Sequence, residues 1–385
     1  MKIGAFSDSQ IGHHFTATDA RGVNQRMLDL IDTFKHAVYE MIEKKCDLIL
    51  FAGDMFRSNQ PSVYMQIEVA RILCEATEKA RIVLLPGNHD IAGEAFGYFP
   101  LMDLYKILMG ESKISVIGRP EQLVFGNVQI CGIPYPNKGM LGSDDIKGLS
   151  NEDINLKMRE YIAGIVKSFK PKPDKYSILM AHLAVQEAKI RKGLVLLADD
   201  VVMGLKEMMT NPPFDATLLG HYHKQQILSE KPFVAYLGSI DCEDFGEEGQ
   251  QKKYLIIDTD LRGKPGEFEW HSIHGKRFIT VKMDPKKEFH IDNPKGALVR
   301  LRFGAPADAY KMNIAAVVSD LYKEGAQEVF VVYDYEDETQ LRNDTIHKNM
   351  SEVELLAEWL KLQNEDVKKR SKNLMEKIKE IATEQ

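Results

Sequence analysis

The stretch IVLLPGNHD, residues 82 to 90, joins a short apolar run to a turn of polar residues. Short apolar runs bounded by glycine or proline are typical of buried β-strands. Four further segments have the same form: KIGAFS before Asp8, DLILFA before Gly53 and Asp54, YSILMA before His182, and ATLLG before His221, Tyr222 and His223. The ends of such strands converge on one edge of an α/β sheet, where ligands bind. The sequence therefore predicts an α/β fold in which these five polar turns lie together.

The residue types in these turns predict a pair of divalent metal ions. Two ions roughly 3.5–4 Å apart can activate water and stabilise both the attacking and the leaving oxygen of a displacement at phosphorus. Such a pair needs a carboxylate that can bridge it, and Asp54 is the natural candidate. Imidazole, carboxylate and amide oxygen together suit Mn²⁺. Because only Asp8 and Asp54 bring ligand carboxylates, positive charge remains at the centre to attract a phosphodiester.

Each motif also has a structural explanation when it stands alone. GDxF and GNHD are most often turns with a helix cap, because Asn, Asp and Gly dominate turns. A single histidine after a strand, such as His182, is more often an ordinary buried residue, and His221 with His223 fits a surface strand equally well. The presence of all five motifs in this order, each at a strand end, favours the metal centre.

The motif order over residues 8 to 223 resembles the calcineurin-like metallophosphoesterases. It more closely resembles the SbcD-type nuclease subunit of the meiotic-recombination-eleven family, which acts in DNA double-strand break repair. The resemblance implies that one metal ion is held by Asp8, Gln10, Asp54 and His223, and the other by Asp54, Asn88, His182 and His221. It also implies that His89 is the general acid beside the leaving oxygen.

Two positions depart from the family pattern. Gln10 stands where the family usually has His, so an amide oxygen replaces an imidazole nitrogen; this favours Mn²⁺ or Mg²⁺ over Zn²⁺ or Fe²⁺ and weakens the site. His13 or His14 is the alternative ligand. Arg57 stands where the family often has His, and a guanidinium can stabilise the scissile phosphate but cannot exchange protons. The structural alternative for Arg57 is a surface ion pair.

Length and composition indicate a multidomain cytoplasmic protein. A chain of 385 residues, 44% hydrophobic, is expected to hold two or three domains. Cys46, Cys74 and Cys131 stand among apolar neighbours without metal-binding spacing, which predicts reduced core cysteines. We expect no signal peptide, and no apolar run approaches the roughly 20 residues that span a bilayer. The predicted location is cytoplasmic and nucleoid-associated, with no membrane partner.

The net charge of −7 argues against DNA binding by the whole surface, because DNA-binding domains usually carry a net positive charge. Lys and Arg residues near the strand ends nevertheless provide local positive charge that can attract a polyanionic substrate. The predicted DNA contacts are Arg21, Arg26, Lys189, Arg191 and Lys192, which follow the first motif or His182, with Arg57 after the second motif. Such residues can contact phosphates on either side of the cleaved bond, although each alone is more often simply solvated.

The rest of the chain predicts a two-sheet sandwich flanked by helices, with a small β-β-α-β capping domain. Segments 233–238, 253–259 and 267–271 are expected to complete the second sheet. Residues 24–45 and 62–80 have the period of amphipathic helices. The resemblance implies that these two helices form a homodimeric four-helix interface, and the alternative is packing on their own sheet. The predicted domains are a nuclease domain at 1–274, a capping domain at 275–334, a linker at 335–350 and a helical arm at 351–385.

The arm lacks Pro and Gly, is highly charged and carries apolar residues at helical spacing. An isolated helix with such a face is marginal in water, so it requires a partner. The resemblance implies that this partner is the SbcC-type coiled-coil, ATP-hydrolysing subunit. Packing of the arm on the chain's own core is the alternative.

The leading functional hypothesis is an Mn²⁺-dependent DNA nuclease within an ATPase complex. It would act as a 3′ to 5′ exonuclease and as an endonuclease on single strands or hairpins. Two alternatives remain open: a small-molecule phosphodiesterase or phosphatase on the same metal site, and a non-catalytic DNA-tethering scaffold. The arm favours the nuclease over the small-molecule enzyme. The departures at Gln10 and Arg57 motivate the scaffold, and six intact motif residues argue against it: Asp54, Asn88, His89, His182, His221 and His223.

Overall fold

A computed structural model of the chain describes residues 1–12, 15–92, 99–141, 147–189, 200–210, 212–284, 291–304 and 313–333. Their contacts divide them into two compact units. The larger unit comprises Met1–Thr280, Ile291–Arg300 and Val318–Phe330, and the remaining described residues form the smaller unit. The predicted linker at 335–350, the predicted arm at 351–385, and His13, His14, Arg191 and Lys192 lie outside the described residues.

The first sheet contains the first three strands of the motif pattern. Its strands are β1 (Lys2–Phe6), β2 (Leu48–Ala52), β3 (Arg81–Leu85), β6 (Ile114–Val116), β15 (Lys253–Asp258) and β16 (Phe268–Ser272), in the order β16-β15-β1-β2-β3-β6. Strands β1, β2, β3 and β6 run parallel, whereas β15 is antiparallel to β1. Every residue of β2 is buried, since successive side chains point to opposite faces and both faces are covered.

The second sheet contains the last two strands of the pattern. Its strands are β7 (Glu121–Phe125), β8 (Val128–Ile133), β9 (Tyr176–His182), β12 (Ala216–Gly220), β13 (Gln226–Glu230) and β14 (Phe233–Tyr236), in the order β13-β14-β12-β9-β8-β7. The four inner strands are parallel, and the edge strands β7 and β13 are antiparallel to their neighbours. The predicted α/β sandwich is therefore confirmed.

The two sheets pack face to face around one apolar cluster. Ile3 and Leu50 of the first sheet and Ile130 and Leu218 of the second belong to this buried cluster. The parallel strands of both sheets end at the same side of the sandwich, since His182 Nδ1 at the end of β9 lies 2.8 Å from the carbonyl oxygen of Ala52 at the end of β2. The strand-end residues of the five motifs are thereby brought to one edge.

The first four α-helices in the described part of the chain cover the outer faces of the sandwich, and the fifth belongs to the small sheet described below. The described helices are α1 (Gln25–Glu43), α2 (Val63–Ala76), α3 (Asp103–Met109), α4 (Asn151–Ser168) and α5 (Ile314–Lys323). Side chains of Asn24, Ser62 and Ser150 accept backbone N–H groups at the starts of α1, α2 and α4, which satisfies donors that a helix terminus leaves unpaired. The apolar stripe of α1 packs on the first sheet in a buried cluster with Phe51. The homodimeric interface that the resemblance implies for α1 and α2 stays a prediction.

Two strands belong to a different sheet from the one expected. Strands β15 and β16 were expected in the second sheet, but they extend the first sheet beyond β1. The physical reason is that β1 would otherwise be an edge with unpaired backbone groups, and β15 satisfies them by antiparallel pairing from Lys2 to Ala5. Periodicity identified these strands but not the edge they pair with.

The remaining strands form small sheets. Strands β17 (Phe278–Met283), β18 (Leu298–Phe303) and β19 (Glu328–Tyr333) form a sheet in that order, with α5 between β18 and β19 in sequence, as the β-β-α-β pattern predicts. Two short pairs complete the described strands: β4 (Ile91–Ala92) with β5 (Phe99–Pro100), and β10 (Ala184–Val185) with β11 (Val202–Met203).

Burial of the cysteines partly matches the expectation. Cys46 and Cys131 are buried, as predicted, whereas Cys74 is exposed on α2. In the described part of the chain, no helix combines the length and the apolar character that a membrane crossing requires.

A buried ion pair ties α1 to the loop that follows β14. Arg26 Nη1 lies 3.0 Å from Asp241 Oδ2, and both side chains are 1% exposed. Replacing Arg26 with Met is expected to lower the free energy of unfolding by about 3–5 kcal/mol, because the carboxylate of Asp241 loses its cation while it stays buried. Urea unfolding at neutral pH measures this loss.

Arg71 provides the matched control for this substitution. Its ion pair with Glu68 is exposed on α2, so Arg71→Met is expected to cost less than about 1 kcal/mol. Equal losses for the two variants would contradict a structural role for the Arg26 pair.

Candidate metal centre

Strained backbone at the strand ends builds the centre. Asp8, Gln10, Asp54 and His221 all have positive φ angles, of 51°, 47°, 57° and 99°. Such conformations are uncommon for residues other than glycine, and they persist where the surrounding structure imposes them. Hydrogen bonds between the first two turns impose them here, since Asp8 N donates to Gly53 O at 2.9 Å and Gln10 N to Asp54 O at 3.1 Å.

Two glycines allow the strand ends to approach one another. A Cβ at Gly53 would lie 2.2 Å from His182 Nδ1, and one at Gly87 would lie 2.1 Å from Asp54 Oδ1. Both distances are far inside van der Waals contact, so only glycine fits at either position. The GD and GNHD motifs therefore need their glycines for packing of the ligands as well as for turning the chain.

The donors predicted for the second metal position converge. Asn88 Oδ1 lies 3.2 Å from His182 Nε2 and 3.2 Å from His221 Nδ1. His182 Nε2 lies 3.5 Å from Asp54 Oδ2. These four side chains come from the ends of β2, β3, β9 and β12, as the strand-end pattern predicts.

The imidazole of His182 is oriented through its other nitrogen. His182 Nδ1 lies 2.8 Å from the carbonyl oxygen of Ala52, and this acceptor holds the proton on Nδ1 and leaves Nε2 for a metal ion. His221 Nε2 lies 3.6 Å from Asp200 Oδ1, a contact between possible charges that is too long for a hydrogen bond. Sequence reasoning missed Asp200, which precedes the short strand β11 and has no strand-end motif around it.

The first metal position contains an orphaned acceptor. Gln10 donates through Nε2 to Asp54 Oδ2 at 2.8 Å, while its Oε1 is buried and has no hydrogen-bond partner among the described residues. A buried acceptor without a partner is costly, and a cation removes that cost. Ligand atoms of Asp8 from this position, of His182 from the second position and of Asp54, which is assigned to both, are all buried and lie within 4.8 Å of one another. The donor set therefore fits divalent metal ions.

The last predicted ligand, His223, has two acidic neighbours. Its Nδ1 lies 3.2 Å from Glu247 Oε1 and 3.2 Å from Glu243 Oε2. Burial acts to raise the pKa of Glu247, but its hydrogen bond to His223 and the ammonium of Lys252 outweigh burial and hold that pKa at about 2. Sequence reasoning missed both glutamates, because they follow β14 in a loop where nothing distinguishes them from the other acidic residues.

His89 lies at the open side of the centre. Its backbone N–H donates to Asp54 Oδ1 at 3.0 Å, its Nε2 lies 3.9 Å from Asp54 Oδ2, and its side chain is 42% exposed. The neighbouring Asp90 is fully buried and accepts backbone N–H groups of Met55, Phe56 and Gly87. Asp90 therefore anchors the turn that carries His89, a role that the GNHD motif alone does not reveal.

The predicted basic contacts have different environments. Arg26 is buried against Asp241, so its guanidinium is not available to a DNA phosphate, and the prediction for this residue is wrong. Arg21 is exposed beside Asp19. Lys189 is described and contacts Gln226 through its backbone, which leaves its role as a DNA contact a prediction.

Arg57 belongs to the edge of the centre. Its Nη1 pairs with Glu243 Oε1, and about two fifths of its side chain is exposed. Burial lowers the pKa of Arg57, but a guanidinium remains charged at neutral pH. Arg57 thus forms an ion pair with Glu243 and not with Asp54, and its predicted role in stabilising the scissile phosphate stays a prediction.

Substitution of Gln10 tests the ligand set. Gln10→His is expected to tighten Mn²⁺ binding at the first position, because an imidazole nitrogen is a stronger donor than an amide oxygen for a divalent transition metal. Titration of the metal-free protein with Mn²⁺, followed by the electron paramagnetic resonance signal of the free ion, measures the change. Weaker binding in Gln10→His would contradict the proposed ligation, and Gln66→His on α2 is the control.

The chain belongs to the calcineurin-like phosphoesterase family, since the family's sequence model matches residues 1–225. It is 26% identical over 287 residues to the DNA double-strand break repair protein Mre11 of Methanocaldococcus jannaschii, which covers 70% of this chain and 67% of that protein. Among solved structures, it is similar to a dimetal phosphatase from Danio rerio at 9% identity and a TM-score of 0.39, which covers 66% of this chain and 91% of the other.

Proposed function

We propose that the protein is a metal-dependent DNA nuclease that acts in double-strand break repair. The observation that carries the proposal is the convergence of Asp8, Gln10, Asp54, Asn88, His182 and His221 at one edge of the sandwich. The similarity to a DNA double-strand break repair protein supports DNA as the substrate. The proposed reaction is phosphodiester hydrolysis, exonucleolytic in the 3′ to 5′ direction and endonucleolytic on single strands or hairpins.

The chain's own residues have separate roles in this proposal. When bound, two divalent ions, proposed to be Mn²⁺, supply the positive charge that stabilises the attacking and leaving oxygens. Asp54 would hold both ions, and its two oxygens accept hydrogen bonds from the His89 backbone N–H and from the Gln10 amide. His89 is exposed on the substrate side and protonates the leaving oxygen, a role that requires a side chain within hydrogen-bond reach of the substrate.

The ion pair between Arg57 and Glu243 suggests that Arg57 binds a phosphate group of the substrate. A guanidinium paired with an exposed carboxylate can exchange that carboxylate for a phosphate of similar geometry. We propose that Arg57 leaves Glu243 for a phosphate next to the scissile bond. Arg21 and Lys189 remain proposed contacts to the flanking DNA backbone.

Labelled DNA tests the proposal directly. Purified protein with Mn²⁺ or Mg²⁺ is incubated with single-stranded and hairpin DNA, with p-nitrophenyl phosphate and bis-p-nitrophenyl phosphate as small-molecule controls. Cleavage of DNA that EDTA abolishes is the expected result. Intact DNA with hydrolysis of the p-nitrophenyl esters would favour the small-molecule enzyme, and DNA binding without metal occupancy would favour the scaffold.

We further propose that the protein forms a homodimer and carries an ATPase partner on its C-terminal arm. The dimer surface proposed from the structure combines α2 and α3, whose solvent-facing apolar side chains are Val63, Tyr64, Ile67, Leu104, Ile107 and Leu108. Because α2 and α3 contact each other, these exposed apolar side chains lie on neighbouring helices, and exposed apolar surface of this kind is typical of interaction sites. Helix α1 does not contribute its stripe, because that stripe is buried on the first sheet.

A charge on α3 tests the dimer. Ile107→Glu, at a position 79% exposed, is expected to produce monomers, because a buried unpaired carboxylate at an interface costs several kcal/mol. Size-exclusion chromatography with light scattering measures the mass. Leu156→Glu on α4 is the control, since Leu156 is 56% exposed and outside the patch. A wild-type monomer, or an Ile107→Glu dimer, would contradict this surface.

Removal of residues 351–385 tests the arm. The truncated protein is expected to keep its hydrolytic activity on small diesters and to lose binding to a coiled-coil ATPase subunit. Retained binding would place the partner contact elsewhere on the chain.

A further inference from the structure

The imidazole of His223 lies beside two carboxylates that have different environments. Its Nδ1 is equally distant from Glu247 and Glu243, at 3.2 Å from each. A carboxylate accepts a proton but cannot donate one when ionised, so either neighbour holds a proton on Nδ1. Nε2 is then the nitrogen with a lone pair available to a metal ion.

Glu247 is fixed in place by buried donors. It is 5% exposed, and its Oε2 accepts from Lys252 Nζ at 2.8 Å and from the backbone N–H of Glu243 at 3.0 Å. Lys252 is itself 6% exposed and donates also to Ser239 Oγ at 2.7 Å. With Oε2 held by two donors, Oε1 is left facing His223.

Glu243 is held by a cation at the surface. Its other oxygen pairs with Arg57, and the side chains of both residues are partly exposed. Exposed ion pairs of this kind contribute little and exchange readily. Glu247 and not Glu243 is therefore the neighbour whose position stays constant when substrate competes for Arg57.

The loop that carries Glu247 is anchored from its other side. Phe245, two residues earlier, packs edge-on against Phe278 and Phe330, with ring centroids 5.0 Å and 5.6 Å away. Asp244 accepts the backbone N–H of Gly246 at 2.6 Å. These contacts limit the movement of the carboxylate relative to the ring of His223.

We propose that the buried Glu247–Lys252 pair positions His223 by holding its proton on Nδ1, so that Nε2 binds the first metal ion. The inference rests on the proposed two-metal function. It adds two positioning residues, neither of which lies at a strand end. Carboxylates that hold the far nitrogen of a ligand histidine are typically worth about 10- to 100-fold in metal affinity.

Glu247→Gln is the informative substitution, because Gln has the same shape as Glu but replaces one hydrogen-bond acceptor oxygen with an NH₂ donor. Lys252 and the Glu243 backbone N–H both require an acceptor, so the amide oxygen of Gln turns towards them and its NH₂ group faces His223. Only Glu243, which is also paired with Arg57, is then left to hold the proton on Nδ1, while the NH₂ group of Gln favours the tautomer with the proton on Nε2, where the metal binds. We expect Mn²⁺ affinity at the first position to fall by about 10- to 100-fold, with the second position unchanged.

Two further variants serve as comparisons in the same Mn²⁺ titration. Glu230→Gln, on the edge strand β13, is exposed and is expected to leave both affinities unchanged. Glu243→Gln is expected to change the first affinity less than Glu247→Gln does. A larger effect of Glu243→Gln, or no effect of Glu247→Gln, would overturn the assignment.

Histidine tautomers provide a readout that a purely structural role would not change. In ¹⁵N-histidine-labelled, metal-free protein, the His223 signals are identified by their absence in His223→Gln. The wild type is expected to carry the proton on Nδ1, and Glu247→Gln to carry it on Nε2. A wild type protonated on Nε2 overturns the proposal even if the Glu247 variant does not fold.

The outcome for the wild type separates this inference from the proposed function. Fewer than two Mn²⁺ ions bound per chain would contradict the two-metal function itself. Two bound ions with unchanged affinity in Glu247→Gln would contradict only the positioning role.

Discussion

Replacing Asp54 with Asn is expected to abolish hydrolysis, with a loss on the order of a thousandfold or more in kcat, since the metal centre supplies several kcal/mol of transition-state stabilisation. Asp54 is the one side chain assigned to both metal positions. Its Oδ1 accepts from His89 N–H and its Oδ2 from Gln10 Nε2. An Asn side chain offers a single oxygen, so it cannot satisfy both donors and also bridge two cations.

Two measurements check this expectation. Mn²⁺ binding at both positions is expected to weaken in Asp54→Asn, and the magnetic coupling between two neighbouring Mn²⁺ ions is expected to disappear from the paramagnetic resonance spectrum. Asp174→Asn is the control, because Asp174 is an exposed residue in the turn before β9. A coupled Mn²⁺ pair that persists in Asp54→Asn would show that another group bridges the ions.

Replacing His89 with Gln is expected to lower kcat by about 10²- to 10⁴-fold, because general acid catalysis contributes that much and Gln cannot donate a proton to a leaving alkoxide. Metal and DNA binding are expected to remain close to wild type. The structural reason is that His89 contacts Asp54 through its backbone N–H, at 3.0 Å, and that contact is independent of the side chain.

The leaving group distinguishes protonation from other roles of His89. A diester with a p-nitrophenolate leaving group needs no proton, so His89→Gln is expected to hydrolyse it far better, relative to wild type, than it hydrolyses DNA. His271→Gln on β16 is the control for loss of an imidazole outside the centre. Loss of metal together with turnover in His89→Gln would contradict the assignment as general acid.

The strand ends were predictable from sequence because they depend on local properties. A run such as LILFA in β2 is apolar at every position because both faces of the strand are buried, and the polar turn that follows it must lie at the sheet edge. Parallel strands end on one side, so Asp54, Asn88, His182 and His221 could be placed together before their distances were known.

Sheet membership and burial of single side chains were not predictable in this way. Strands β15 and β16 pair with β1 because its edge was open, and nothing within their own sequences selects that edge over the second sheet. Arg21 and Arg26 stand five residues apart in similar surroundings, yet one is exposed beside Asp19 and the other is buried against Asp241. The difference depends on a carboxylate more than two hundred residues away.

The strand-end pattern, of which IVLLPGNHD is one member, was enough by itself to predict the fold class, the edge of the sandwich where polar residues meet and the candidate ligands there. Only the tertiary structure decided how those ligands are held: which carboxylate faces His223, which one faces His221, and where Arg57 is directed. The physical reason is that a ligand's position follows from the strand that carries it. The orientation of a histidine ring instead follows from hydrogen bonds to residues on loops from elsewhere in the chain.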